Sequence, residues 1–124
     1  MKKVLVVEDD KDNLDLISYA LKKSGYEVLS AKTGEEGVDM AIKEKPYFII
    51  MDIGLPGIDG IEATRRIRKS GVDGDIPIIA ITSFAMMGDR EEILSAGCNG
   101  YFEKPLDPLT IIDDIHKIIR GTVK

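Results

Sequence analysis

The sequence predicts an α/β protein built as a single doubly wound, five-stranded parallel sheet with helices on both faces. Short apolar runs alternate with helix-like segments five times along the 124 residues. Apolar runs of this length between helices are typical of buried parallel strands. Regular alternation of strand and helix predicts a sheet that helices cover on both sides, and the chain length fits one domain.

The first half of the chain contains three strand–helix units. Strands are predicted at 3–8, 26–31 and 47–52, and helices at 12–24, 35–44 and 60–70. Gly25 and Gly71 follow the first and third helices and Pro46 follows the second, as is typical of helix ends. The second strand is more polar than the others, which indicates an edge position in the sheet.

The second half of the chain contains two more units. Strands are predicted at 77–82 and 100–103, and helices at 87–96 and 107–120. Gly97 and Gly121 are predicted to end these two helices. The last helix carries isoleucines at helical spacing with charged residues between them, namely Ile111, Ile112, Ile115, Ile118 and Ile119. This spacing predicts one apolar helix face that packs on the sheet.

Composition and charge exclude several classes of protein. An apolar fraction of 44% and a charged fraction of 31% indicate a folded globular chain. The net charge of −5 argues against direct binding of nucleic acid, and the one cysteine, Cys98, allows no internal disulfide. Because a secretory leader pattern and an apolar stretch of membrane-spanning length are both missing, we expect a cytoplasmic protein that binds no membrane.

Polar side chains follow the predicted strands at the point where each strand ends. Glu8 and Asp9 lie at the end of the first strand, Asp52 ends the third, Thr82 ends the fourth and Lys104 follows the fifth. The chemistry of an open α/β sheet gathers beyond the carboxyl ends of its strands. We therefore expect these five side chains to lie close together.

Such a group of side chains suits a divalent metal and a phosphoryl group. Neighbouring carboxylates require either a bound proton or a cation, and oxygen ligands on an open site suit Mg²⁺ or Mn²⁺. An aspartate can attack phosphorus to give an aspartyl phosphate, and the Lys104 ammonium can hold a phosphoryl oxygen. Asp52 ends the central strand and is followed by a loop rich in glycine and proline, so it is the predicted nucleophile.

Four short motifs in this order resemble the receiver domain of two-component response regulators. They are Val-Val-Glu8-Asp9, Met-Asp52-Ile-Gly-Leu-Pro56-Gly-Ile-Asp59-Gly60, Ile-Thr82-Ser83 and Lys104-Pro105. The resemblance covers essentially the whole chain. It implies a CheY-like (flavodoxin-like) fold with strand order 2-1-3-4-5 and one receiver domain over 1–124 without an output domain. Three further stretches, Phe84-Ala85-Met86, Gly88-Asp89 and Ala96-Gly97-Cys98, look most like stand-alone regulators of cell division.

The resemblance implies a role for each residue at the strand ends. Asp52 matches the phosphoacceptor, Asp9 a direct Mg²⁺ ligand, and Glu8 an acid that usually acts through water. Gly54 lies where a backbone carbonyl completes the metal shell, and Lys104 matches the lysine that pairs with the phosphate. The remaining matches are Thr82 as the switch hydroxyl, Ser83 as a backbone contact to the phosphate and Tyr101 as the switch aromatic.

The resemblance also implies partners. A sensor histidine kinase or a histidine phosphotransfer protein would phosphorylate Asp52, and the surface of helix 4, strand 5 and helix 5 would then change its affinity for a target protein. The protein would catalyse only its own phosphorylation and dephosphorylation. We expect a monomer or a weak dimer that depends on phosphorylation.

Other interpretations stay open at this point. A phosphohydrolase with an aspartate nucleophile commonly carries a second aspartate two residues later, where this chain has Gly54. An FMN-binding protein needs a phosphate-binding loop after strand 1, where Glu8-Asp9-Asp10 would repel the ligand. An inert pseudo-receiver is disfavoured by the complete set of site residues. His116 is expected on the surface, and Cys98 is expected to be a small buried residue at a helix end.

Overall fold

The strands of the computed structural model form one parallel sheet. The structure describes residues 2–71, 76–83 and 87–122, and Phe84-Ala85-Met86 lies outside them. The strands are β1 (Lys3–Val7), β2 (Glu27–Ala31), β3 (Ile49–Asp52), β4 (Ile78–Thr82) and β5 (Gly100–Glu103). Their order is β2-β1-β3-β4-β5, with every neighbouring pair parallel. The predicted fold class, the strand order and the edge position of β2 are confirmed.

Helices cover both faces of the sheet. They are α1 (Lys11–Lys23), α2 (Gly34–Glu44), α3 (Gly60–Lys69), α4 (Met87–Ala96) and α5 (Ile111–Thr122). Among the described residues, we find no helix with the length and apolarity needed to cross a membrane.

Two apolar cores lie on opposite faces because strand side chains alternate. In β1, Leu5 and Val7 join the core beneath α2, α3 and α4, whereas Val4 and Val6 join the core beneath α1 and α5. The isoleucine face predicted for the last helix is confirmed by the buried residues Ile111, Ile115 and Ile119.

Three of the four glycines predicted to end helices do so with a left-handed backbone. The φ angles are +93° at Gly25, +74° at Gly71 and +116° at Gly97, values that glycine adopts at little cost. Gly121 differs, because α5 continues through it to Thr122. The prediction that Gly121 ends the helix was therefore wrong.

The last helix starts later than predicted, at Ile111 rather than at 107. Asp107 Oδ1 accepts a hydrogen bond from Leu109 N at 2.9 Å, and the Asp107 carbonyl accepts from Thr110 N and Ile111 N at 3.2 and 2.9 Å. The aspartate thus organises a turn over 107–110, and Pro108, which has no N–H to donate, lies within it. Regular helix follows the turn.

The third strand also starts later than predicted, at Ile49 rather than at 47. Tyr47 N donates to Lys3 O at 2.8 Å, and Phe48 O accepts from Leu5 N at 3.1 Å. These two residues therefore bond to the β1 side, whereas the register with β4 begins only at Ile49, opposite Ile78.

Candidate functional site

The acidic end of β1 is positioned by the start of α1. Asp10 caps α1, because its side chain accepts a hydrogen bond from Asn13 N at 3.1 Å. Asp12 lies in the first turn, where a negative charge is favourable. Glu8 and Asp9 are left to face the carboxyl edge of the sheet.

Three carboxylates converge at this edge. Glu8, Asp9 and Asp52 each offer an oxygen atom, and these atoms lie within 4.8 Å of one another. Glu8 is 0% exposed and Asp52 is 3% exposed, whereas Asp9 is exposed to solvent. Two of the three carboxylates are therefore buried, and the third is exposed to solvent.

Lys104 brings a positive charge from the end of β5 into the acidic cluster. Its Nζ lies 3.2 Å from Glu8 Oε1 and 3.3 Å from Asp52 Oδ2. Lys104 N also donates to Thr82 O at 2.8 Å, which joins the ends of β4 and β5. From the end of β5, the Lys104 ammonium thus forms ion pairs with the residue that follows β1 and with the residue that ends β3.

One ammonium does not balance the three carboxylates. Glu8 Oε2 is buried and makes no hydrogen bond within the described part of the chain. Burial raises the pKa of Glu8 to about 8, helped by the adjacent Asp52 and opposed by Lys104. Burial alone would lower the pKa of Lys104, but Asp52 and Glu8 outweigh it and raise that pKa. The site is thus short of positive charge, and its hard oxygen donors fit a divalent cation.

The loop after β3 fixes the Asp52 side chain. Gly54 N donates to Asp52 Oδ1 at 3.1 Å, which leaves Oδ2 toward Lys104. A Cβ added at Gly54 would meet only Asp52 Oδ1, at 4.0 Å, so the approach to the carboxylate beside this residue is open.

Gly60 packs against the backbone of Asp52, a role that the sequence motif did not reveal. A Cβ on Gly60 would overlap the Asp52 carbonyl, and Gly60 N donates to Ile53 O at 3.0 Å. Asp59 caps α3 by accepting from Glu62 N at 2.9 Å. The glycine after the capping aspartate lets the start of α3 pack directly on the strand end.

The hydroxyl and the aromatic residue lie on the neighbouring strands. Thr82 is buried at the end of β4, and Ser83 follows it in an exposed position. A cavity of about 390 Å³, lined in part by Gly54, Thr82 and Ser83, opens beside them. Tyr101 is half-buried in β5, with the Arg90 guanidinium 5.7 Å from its ring centroid. The role of Arg90 could not be predicted from the sequence, because no local pattern marks a contact between α4 and β5.

Away from this edge, two expectations meet different outcomes. Cys98 is buried, as expected, with its Sγ 3.7 Å from Thr64 Oγ1. His116, expected on the surface, is half-buried, and its Nε2 lies 2.7 Å from the Tyr26 hydroxyl. The histidine thus joins α5 to an aromatic cluster with Tyr47 and Phe48.

Comparisons with known proteins agree with this geometry. The family model described as the response regulator receiver domain matches residues 4–116. The polar-differentiation response regulator DivK of Brucella anthropi is 39% identical over 114 residues, which are 92% of this chain and 93% of the relative. The expectation of one domain over 1–124 without an output domain stays a prediction.

Solved structures give the same picture. A putative response regulator from Chloroflexus aurantiacus is 30% identical with a TM-score of 0.89, over 96% of this chain and 98% of the other. The receiver domain of a sensor histidine kinase from Pseudomonas aeruginosa is 36% identical with a TM-score of 0.87, over 96% and 98% of the two chains. That structure has a magnesium ion coordinated in its active site cleft.

Proposed function

Because the chain belongs to the family of response regulator receiver domains, we propose that Asp52 accepts a phosphoryl group from a phosphohistidine. As a receiver, the protein is a signalling module of a two-component system and not a conventional enzyme. The observation that carries the proposal is the contact of Lys104 with both Asp52 and Glu8 inside a cluster of three carboxylates. The donor would be a sensor histidine kinase or a histidine phosphotransfer protein, in the cytoplasm.

The acidic cluster supports a magnesium site. Glu8, Asp9 and Asp52 would hold Mg²⁺ together with the backbone carbonyl of Gly54, and Mn²⁺ could replace it. Two observations support this: the buried Glu8 Oε2 without a hydrogen-bond partner among the described residues, and the magnesium ion of the Pseudomonas aeruginosa receiver. When bound, such an ion neutralises charge on phosphoryl oxygens.

The residues of the chain can then divide the transfer step among them. Asp52 Oδ2 attacks phosphorus, the P–O bond forms, the P–N bond breaks, and the imidazole of the donor leaves with the electron pair. Gly54 N holds Oδ1 and so fixes the orientation of the carboxylate. The Lys104 ammonium exchanges its contact with Asp52 for one with a phosphoryl oxygen, and the Thr82 hydroxyl and Ser83 N–H donate to others. Attack of water on phosphorus later breaks the bond to Oδ2, releases inorganic phosphate and restores Asp52.

The same transfer can serve as a switch. Thr82 and Tyr101 lie on adjacent strands between the phosphoacceptor edge and the surface of α4, β5 and α5. We propose that phosphorylation draws the hydroxyl of Thr82 toward the phosphate and shifts Tyr101 inward, which changes the affinity of that surface for a target protein.

The test is intact-protein mass spectrometry after incubation with acetyl phosphate and Mg²⁺. The wild-type protein should gain one phosphoryl adduct that is labile to base and absent without Mg²⁺. Asp52→Asn should gain none, whereas Asp39→Asn, the same change at an exposed position of α2, should behave as the wild type.

The proposal would fail on either of two results. One is an Asp52→Asn protein that gains the adduct as fast as the wild type. The other is a folded wild-type protein that gains no adduct from acetyl phosphate, from a histidine kinase or from a phosphotransfer protein.

A further inference from the structure

Arg90 and Tyr101 form a cation–π contact between α4 and β5. Arg90 is exposed in the first turn of α4, and Tyr101 is half-buried in β5. The guanidinium lies 5.7 Å from the centroid of the ring. At this distance the positive charge and the face of the ring attract each other, so the contact stabilises the ring in its observed position.

Tyr101 has a small neighbour on its own face of the sheet. The register places it opposite Ala80, whose side chain is a single methyl group. Thr82 lies two residues further along β4 and therefore points to the same face. The cavity of about 390 Å³ is lined by Thr82 and Ile93, and Tyr101 packs against the same apolar core as Ile93. Among the described residues, the side of the ring toward the phosphoacceptor edge is thus marked by the small side chain of Ala80 and by a cavity whose lining shares Ile93 with the core that Tyr101 contacts.

We propose that Arg90 is a positioning residue that holds the Tyr101 ring in its observed place and thereby weakens phosphoryl binding at Asp52. The inference rests on the proposed function, in which phosphorylation and the inward shift of Tyr101 favour each other. Coupling between two sites is reciprocal. A contact that opposes the inward shift must therefore lower the affinity of the site for a phosphoryl group.

The size of the effect follows from the contact. A cation over an aromatic ring at an exposed site changes an equilibrium constant by about two- to fivefold. When the inward ring is the minor population, loss of the contact raises that population, and the apparent affinity, by the same factor.

The direction of the change in anion affinity distinguishes loss of the Arg90–Tyr101 contact from a simple loss of positive charge. Removal of Arg90 deletes one positive charge, and a general field effect would weaken the binding of an anion. Loss of the positioning contact predicts the opposite, namely tighter binding. An equal change of charge elsewhere supplies the control: Arg65 is exposed on α3, and Arg65→Gln should leave anion binding unchanged or slightly weaker.

The experiment is calorimetric titration with beryllium trifluoride, a tetrahedral analogue of the phosphoryl group, in a fixed excess of Mg²⁺. Arg90→Gln should lower the dissociation constant about two- to fivefold, and Arg90→Lys, which keeps a cation near the ring, should stay close to the wild type. In a Tyr101→Leu background, Arg90→Gln should change nothing, because the ring that it contacts is gone. Melting temperatures of all variants verify that each is folded.

Different results would refute the role of Arg90 and the proposed function. Unchanged or weaker binding by Arg90→Gln would refute the role of Arg90 while leaving the proposed function intact. Tighter binding that persists without the Tyr101 ring would also refute it, because Arg90 would then act through another group. A wild-type protein that binds no beryllium trifluoride, or an Asp52→Asn variant that still binds it, would refute the proposed function itself.

Discussion

Replacement of Glu8 by glutamine should change how stability depends on pH. The Glu8 carboxyl is 0% exposed, and burial together with Asp52 raises its pKa from 4.5 to about 8. In the absence of a metal, the folded protein therefore keeps a proton on Glu8 at pH values where the unfolded chain has lost it. Glutamine has nearly the same shape and cannot be deprotonated, so Glu8→Gln removes this difference.

The sign and size follow from proton linkage. An acid whose pKa is raised by folding stabilises the folded state less and less as pH rises from the unfolded pKa to the folded one. With values of 4.5 and about 8, the free energy of unfolding of the wild type should fall by about 3 kcal/mol between about pH 5 and about pH 7.5, relative to Glu8→Gln. Saturating Mg²⁺ should remove this loss, because it takes the place of the proton.

Urea unfolding between pH 5 and 9, with EDTA or with Mg²⁺, measures this difference. Glu91→Gln, the same substitution at an exposed position of α4, is the matched control and should keep the pH dependence of the wild type. Stabilisation of the wild type by Mg²⁺ should grow with pH until about pH 8. Parallel pH profiles for the wild type and Glu8→Gln would refute the reasoning, since Glu8 would then be charged in both folded and unfolded states.

Three further predictions concern the lysine, the two contrasting glycines and the histidine. Lys104→Gln should slow adduct formation from acetyl phosphate about a hundredfold, measured by mass spectrometry; a rate near that of the wild type would exclude Lys104 from the transfer step. In urea unfolding, Gly60→Ala should lower the free energy of unfolding by about 2 kcal/mol, because its Cβ would overlap a backbone carbonyl. Gly121→Ala, whose Cβ would have nothing within 4 Å, should raise it by about 0.5 kcal/mol. Effects of the same sign would contradict this. Tyr26→Phe should lower the free energy of unfolding by about 1 kcal/mol. This loss should vanish in a His116→Phe background if its cause is the 2.7 Å contact between the Tyr26 hydroxyl and His116 Nε2.

The sequence was sufficient to predict the family, the fold class and the residues that meet at one edge of the sheet. The reason is that each site residue directly follows a strand, so the periodic pattern that locates the strand also locates the residue. Glu8, Asp52 and Lys104 could be placed in this way because parallel strands end at a common edge. Their roles in phosphoryl transfer stay predictions until the proposed experiments are made.

Other features depended on contacts that no local pattern contains. The Arg90–Tyr101 and Tyr26–His116 pairs each join a helix to a strand or to its flank, so either residue alone looks like an ordinary surface group. The late start of α5 depends on how Asp107 turns its side chain toward the backbone. The burial of individual atoms could not be predicted from the sequence either. Only the packed structure shows that Glu8 Oε2 is buried without a hydrogen-bond partner in the described ranges.

The ion pair between Lys104 and Glu8 joins residues 96 positions apart. A nascent chain cannot form it until the ribosome has released nearly the whole domain, and a chain that has lost β5 cannot keep it. If Lys104 takes part in phosphoryl transfer as proposed, a domain that lacks β5 is expected to accept no phosphoryl group. The pair joins the residue after the first strand to the residue after the last one, so it forms only when the whole sheet has assembled.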